Sequence, residues 1–268
     1  MLIDCHTHLA NYNLDEIPGI INRAQISGIS IIITAGSDIE NSEKCIDIAN
    51  NNYSVYCGVG IHPNKVTKQV NDDYFTKLEL LANSNKKIIT ISETGMDYLP
   101  SSPDMNIQEN AFIAQIEIAK KMKLPLIWHS QISEINKFEK HKITIDILNR
   151  EQAYNIGGVM HYFQADYETA TKAIDSGFLV SFAKPLLRQK HQIEIVEKIP
   201  LEHIVLETDA SPQPWKGDRS SWTEPKDTLL VAKKIAEIKK ISIEDVMEQT
   251  TTNLNKLFNG RLISTTNI

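Results

Sequence analysis

The chain has 268 residues, 41% hydrophobic and 23% charged, with a formal net charge of −6 at pH 7. That length is close to the roughly 250 residues of one (β/α)8 barrel and ample for a large buried core. The acidic balance argues against capture of nucleic acid by a broad basic coat; it leaves room for a metal-assisted enzyme, because bound cations reverse the local field. Cys5, Cys45 and Cys57 are few, odd in number and without a CxxC pair. This argues against a cysteine zinc site and a disulfide framework, and fits a reducing cytoplasm. The N-terminus lacks the basic and apolar regions of a signal peptide, and no run approaches the roughly 18 apolar residues that span a membrane.

Short apolar, β-branched runs alternate with longer amphipathic stretches. The first run, Leu2–Cys5, leads into His6 and His8. Side chains alternate on a strand, so these histidines share a face, with Asp4 on it too, and two imidazoles on one face suit a metal ion. Chance explains that pair alone equally well. Runs at Ile29–Thr34 and Ser54–Gly58 follow, the second leading towards His62. The fourth run, Ile88–Ser92, ends in Glu93, with Asp97 and Tyr98 just beyond. After a turn-rich Pro100–Asp104 segment, a helix is predicted over Ile107–Met122, with Ala111, Ala114, Ile118 and Met122 apolar. The fifth run, Leu124–Trp128, ends in His129, and the sixth, Gly158–His161, in His161. A helix is predicted over Tyr167–Ser176, followed by the seventh run, Phe178–Phe182. The eighth, Ile204–Glu207, leads to Asp209 and a second turn-rich segment, Pro212–Pro225. Residues 1–260 read as one domain, and 261–268 as a flexible polar tail.

Eight strands interleaved with helices imply an α/β protein with a parallel sheet. Eight such repeats close naturally into a TIM-type (β/α)8 barrel; an open doubly wound sheet is the competing topology. In a barrel the strand ends share one rim, so His6, His8, Glu93, His129, His161 and Asp209 converge. Ligand-type residues at five strand ends are poorly explained as satisfied core polar groups.

These residues also carry a family resemblance. Asp4-Cys5-His6-Thr7-His8-Leu9 resembles the D-x-H-x-H opening of TatD-type deoxyribonucleases. Gly60-Ile61-His62-Pro63 is similar to their G-x-H-P turn, Ser92–Tyr98 to their G-E-x-G-L-D-Y segment, and Glu207-Thr208-Asp209 to their L-E-T-D ending. The resemblance runs over the whole chain. It implies a metal-dependent hydrolase barrel that cleaves DNA phosphodiesters, often from the 3′ end, with two divalent ions. Glu93 would bridge them; His6, His8 and Asp209 would complete one site, and His129 and His161 the other. Ions roughly 3.5–4 Å apart can clamp the attacking and leaving oxygens and acidify the attacking water. Glu93 and Asp209 are the catalytic candidates, Asp209 as proton acceptor. Magnesium or manganese is expected in function, with zinc an alternative occupant.

Around that centre, His62 could meet a phosphate or orient a ligand, Asp97 could support one from behind, and Tyr98, Trp215 and Trp222 could stack on bases. Lys184, Arg188, Lys190, Lys216 and Arg219 could meet phosphates, with solvated surface charge the default for each. His141, His191 and His203 lie in or beside predicted helices and read as surface residues. The chain departs from the family at His129-Ser130-Gln131, where an H-x-R is usual, and at His161-Tyr162-Phe163-Gln164-Ala165, where H-C-F-S-G is usual. The stretch at Ser181-Phe182-Ala183-Lys184 and the late segment Arg219–Pro225 differ as well. The ligand types survive while neighbouring groups change, so substrate identity is the open question. Two other readings stand beside a DNase: a small-molecule esterase or lactonase, and a subunit working with protein partners in a multi-component system, anti-phage defence included.

Overall fold

A computed structural model describes residues 1–67, 70–133 and 138–262. Its strands are β1 (Leu2–Thr7), β2 (Ile29–Ala35), β3 (Val55–Val59), β4 (Ile88–Asp97), β5 (Leu126–Gln131), β6 (Gly158–Met160), β7 (Phe178–Phe182) and β8 (Ile204–Leu206). They form one sheet in sequential order, and every neighbouring pair is parallel. The ends meet: Thr7 bridges Ala210, His8 N–H donates to Ala210 O at 2.8 Å, and Asp209 N–H donates to His6 O at 3.0 Å. The sheet is therefore a nearly closed barrel, not an open doubly wound sheet.

Around it run α1 (Ile17–Ile26), α2 (Ile39–Asn51), α3 (Asp72–Ala82), α4 (Met105–Met122), α5 (Glu139–Arg150), α6 (Tyr167–Asp175), α7 (Lys190–Lys198), α8 (Thr228–Lys239) and α9 (Ile243–Leu257). The expected helices over 107–122 and 167–176 appear as α4 and α6, starting where aspartates cap them. Asp104 accepts from the Asn106 and Ile107 amides, and Asp166 from that of Thr169, satisfying otherwise orphaned N–H groups.

Two apolar clusters divide the core. The larger fills the space between sheet and helices, with Leu2, Ile32, Leu126, Trp128 and Leu206 facing outward. The smaller lies inside the barrel: Ile3, Cys5, Ile31, Ile33, Ile127, Val159 and Val205, with Leu254 and Phe258 of the last helix and its cap. Leu262, within the segment read as a tail, is buried in that cluster, while 263–268 fall outside the described residues. No helix among the described residues is long and apolar enough to cross a membrane.

Candidate metal centre

The inward alternation that buries Ile127, Val159 and Val205 places His129, His161 and Glu207 on the same inner face two residues later. Strand β1 reaches the mouth differently. Ile3 and Cys5 line the interior, so strict alternation would turn His6 outward. The β1–β2 pairing shifts register between Asp4 and Thr7, and both His6 and His8 arrive at the mouth. Asp4 does not join them as a free ligand. It takes the Thr208 amide at 3.0 Å and hydroxyl at 2.5 Å, tying β1 to the chain after β8.

Glu93 lies within β4, which runs five residues further than expected. Its carboxylate is the centre of the cluster. Oε2 lies 3.3 Å from His8 Nε2 and 3.6 Å from His6 Nε2; Oε1 lies 2.8 Å from His161 Nε2 and 3.0 Å from His129 Nδ1. Asp209 completes the first side, with Oδ1 3.2 Å from His8 Nε2 and 3.7 Å from His6 Nε2. Gly95 allows β5 to come this close: its φ is +130°, and a Cβ there would sit 2.1 Å from His129 O. Gly60 does the same for the third strand, where a Cβ would meet the Ser92 carbonyl carbon at 2.8 Å.

The electrostatics of this cluster match a cation site. Burial raises the Glu93 pKa, but the charges of His62 and His161 and contacts with His129 and His161 overcome it, and the carboxyl is held well below its usual range. Asp209 is likewise lowered: contact with His8 and the nearby histidine charges outweigh its burial. Burial depresses His8, yet Asp209 and Glu93 push it up to about 10. His129 and His161 are raised against burial by carboxylates in the same way. His6 is lowered, by burial and by the charge of His161. Both ring nitrogens of His6 and Oδ1 of Asp209 are buried without a hydrogen-bond partner. Buried polar atoms are normally satisfied, so unpartnered atoms among these histidines and carboxylates fit the donor set of a cation site. The potential ligand atoms of His6, His8 and Glu93, and those of His6, His161 and Asp209, each lie within 4.8 Å of one another.

The outer candidates divide. His62 joins the cluster: Nε2 is 3.4 Å from Glu93 Oε1, while Nδ1 accepts the Asn64 amide at 3.0 Å, which leaves the proton on Nε2. Asp97 is fully buried and backs His129, with Oδ2 3.4 Å from Nε2; Asn64, Ser102 and the Leu99 amide hold the carboxylate. Tyr98 is not available to a base. Its ring is buried and its hydroxyl bonds Thr144 at 3.0 Å, because the chain turns towards α5 directly after β4. Arg219 is not free for a phosphate either: it pairs with Glu16 at 2.7 Å and Glu224 at 2.9 Å and lies over the Tyr12 and Trp222 rings. His141 is not a surface residue. It is buried, and Nδ1 lies 2.8 Å from Ser130 Oγ on the outer side of β5.

Two supports went unrecognised from sequence. Glu207 is fully buried, accepts the Tyr162 amide at 2.6 Å and lies 3.7 Å from His161 Nδ1. Asn64 donates to Asp97 at 2.7 Å. A glutamate two residues beyond inward Val205 was a readable sign for the first; nothing local marked the second.

Five histidines and two carboxylates around the mouth of a parallel eight-stranded barrel define the class: a metal-dependent hydrolase. The family model described as "TatD related DNase" matches residues 3–259. This chain belongs to that family. Among its relatives, the uncharacterized metal-dependent hydrolase YabD of Bacillus subtilis is 30% identical over 264 residues, covering 96% of this chain and 99% of that protein. Deoxyribonuclease Tat-D of Schizosaccharomyces pombe is 29% identical over 278 residues, covering 89% of this chain and 86% of its own length. The crystal structure of the TatD homologue YJJV from Escherichia coli superposes with a TM-score of 0.85 at 23% identity, covering 96% and 98% of the two chains.

Proposed function

We propose that this chain hydrolyses DNA phosphodiester bonds, removing nucleotides from the 3′ end, with two divalent cations shared through Glu93. The observation that carries this reading is the division of the Glu93 carboxylate: Oε2 faces His6 and His8, and Oε1 faces His129 and His161. One oxygen is thus offered to each ligand set. Asp209 joins the first, and His62 stands beside the second.

When bound, the cations would neutralise charge on the phosphoryl oxygens and lower the pKa of the attacking water. The residues supply the rest. Asp209, kept ionised, accepts the proton from that water. His62, with its proton held on Nε2, donates to a phosphoryl oxygen. Asp97 and Glu207 fix the ring orientations of His129 and His161, so that opposite ring nitrogens, Nδ1 and Nε2, face Glu93. Magnesium or manganese suits the phosphodiester reaction, and the histidines also suit zinc.

The test is cleavage of end-labelled DNA strands by the purified chain with magnesium, manganese or zinc, beside lactones and small carboxylic esters. Progressive shortening from the 3′ end is expected. Turnover of lactones without any DNA cleavage would replace the DNase reading with a small-molecule one.

A further inference from the structure

Of the five basic residues singled out from sequence, Arg219 and Lys184 are already engaged, Lys184 with Asp227 at 2.9 Å. Arg188 is different. It ends the short turn Lys184–Leu187 after β7, is exposed, and makes no side-chain hydrogen bond or ion pair to the described residues. Its loop is fastened beside the metal centre: Gln189 reaches Gln164 at 3.4 Å, and Gln192 donates to Phe163 O at 2.7 Å, two residues after His161. Tyr162, next to His161, donates its amide to Glu207 at 2.6 Å, and burial raises its hydroxyl pKa.

Lys216 comes from the opposite loop, after β8. Its side chain touches Thr223 Oγ1 at 3.3 Å, and Thr223 is held by Gln213 at 2.8 Å. Burial and the cations of Lys184 and Arg188 pull its pKa down. The β7 and β8 loops meet where Lys184 reaches Asp227 at 2.9 Å and Lys216 reaches Thr223 at 3.3 Å, so Arg188 and Lys216 stand on adjoining loops of a chain of net charge −6. Asp227 offsets Lys184, which leaves Arg188 and Lys216 without an ion-pair partner among the described residues and open to an anion. Next to Lys216 stands Trp215, 74% exposed, the most open aromatic ring on the mouth loops.

We propose that Arg188 and Lys216, with Trp215 beside them, form a shelf for the DNA strand flanking the scissile linkage. The cations take the neighbouring backbone phosphates and Trp215 stacks on a base. The inference rests on the DNase reading and adds to it the place where the strand lies, between the β7 and β8 loops. Phosphate contacts there fix the register of the strand over the metal centre without reading its sequence. Stacking on an open ring is similarly tolerant of sequence.

The experiment compares the metal-loaded full chain with Arg188→Gln, Lys216→Gln, their double variant and Trp215→Ala. The readouts are steady-state hydrolysis of a single DNA strand, hydrolysis of bis(4-nitrophenyl) phosphate, which has no neighbouring phosphate, and anisotropy of a labelled phosphorothioate strand at several salt concentrations. The double variant should lower kcat/KM for the strand relative to the small diester by about tenfold or more, chiefly through KM. The slope of log affinity against log salt should flatten by about 0.7 for each lost contact. Trp215→Ala should weaken strand binding about tenfold and leave that slope unchanged. Unchanged KM ratio and salt slope in the double variant would overturn the shelf. Absence of hydrolysis of either substrate by the wild-type chain would instead overturn the DNase reading, and the anisotropy slope would still decide the shelf. No measurable binding of the strand by the wild type would also overturn it.

Discussion

The lower and upper halves of the barrel interior are built by the same strands to opposite ends. On β5 the inward residue is Ile127 below and His129 above; after β6 it changes from Val159 to His161, and on β8 from Val205 to Glu207. Two residues, one inward step, separate a buried apolar layer from a cluster of ionisable groups. The lower layer is closed by Leu254 and Phe258, and its gain is hydrophobic burial. The upper layer holds orphaned polar atoms and carboxylates kept ionised by histidines, and its gain is realised when cations arrive. Stability and chemistry are thus assigned to different depths of one cavity.

The largest expected effect lies in the upper layer. Glu93→Gln keeps the side-chain shape but removes the charge that both ligand sets share. DNA hydrolysis at saturating manganese should fall by several orders of magnitude, with the circular dichroism spectrum retained. His161→Asn, which removes a ligand from one set, should be milder. Equal loss in both would mean that Glu93 has no privileged place.

A break in the lower layer should do the reverse. Phe258 is almost fully buried against the aliphatic side chains, and Phe258→Ala should cost about 3–5 kcal/mol in denaturant unfolding. The residual folded protein should keep its cation affinity. If metal binding fell with stability, the two layers would be one cooperative unit.

A smaller effect sharpens the boundary outside β5. Burial lowers His141 to about 4, so the folded chain holds it neutral while the unfolded chain protonates it near 6.5. Its contribution is complete above pH 6.5 and is lost as pH falls towards 4. His141→Gln should remove that dependence. Across this window wild type should lose up to about 3 kcal/mol more than the variant, measured by urea unfolding at a series of pH values. Parallel stability curves would show that His141 carries no such linkage.

Legibility in the sequence followed the same division. Where alternation is regular, at β5, β6 and β8, the ligand-type residues could be placed from strand patterns alone. At β1 the register shift between Asp4 and Thr7, a consequence of pairing with β2, left no local mark. Glu93 was found by its neighbours, although β4 continues to Asp97 and so holds it inside the strand. His141 was readable in retrospect: His141, Thr144, Ile145 and Leu148 follow the helical spacing of the buried face of α5. The engagement of Tyr98 by Thr144 and of Arg219 by Glu16 is not legible in the sequence, because these partners are distant along the chain. Polar partners that meet only through tertiary packing leave no periodicity to read.

The sharing of Glu93 between two cations is tested most directly by metal titration of the chelator-stripped chain, followed by calorimetry in buffers of different ionisation enthalpy. The wild type should take up two manganese ions per chain and release protons as it does so, because the neighbouring carboxylates raise the pKa values of His8, His129 and His161 and cations displace protons from their ligands. Glu93→Gln should bind at most one ion, weakly. A wild type that saturates with a single ion, or a Glu93→Gln chain that still binds two with unchanged affinity, would contradict the account.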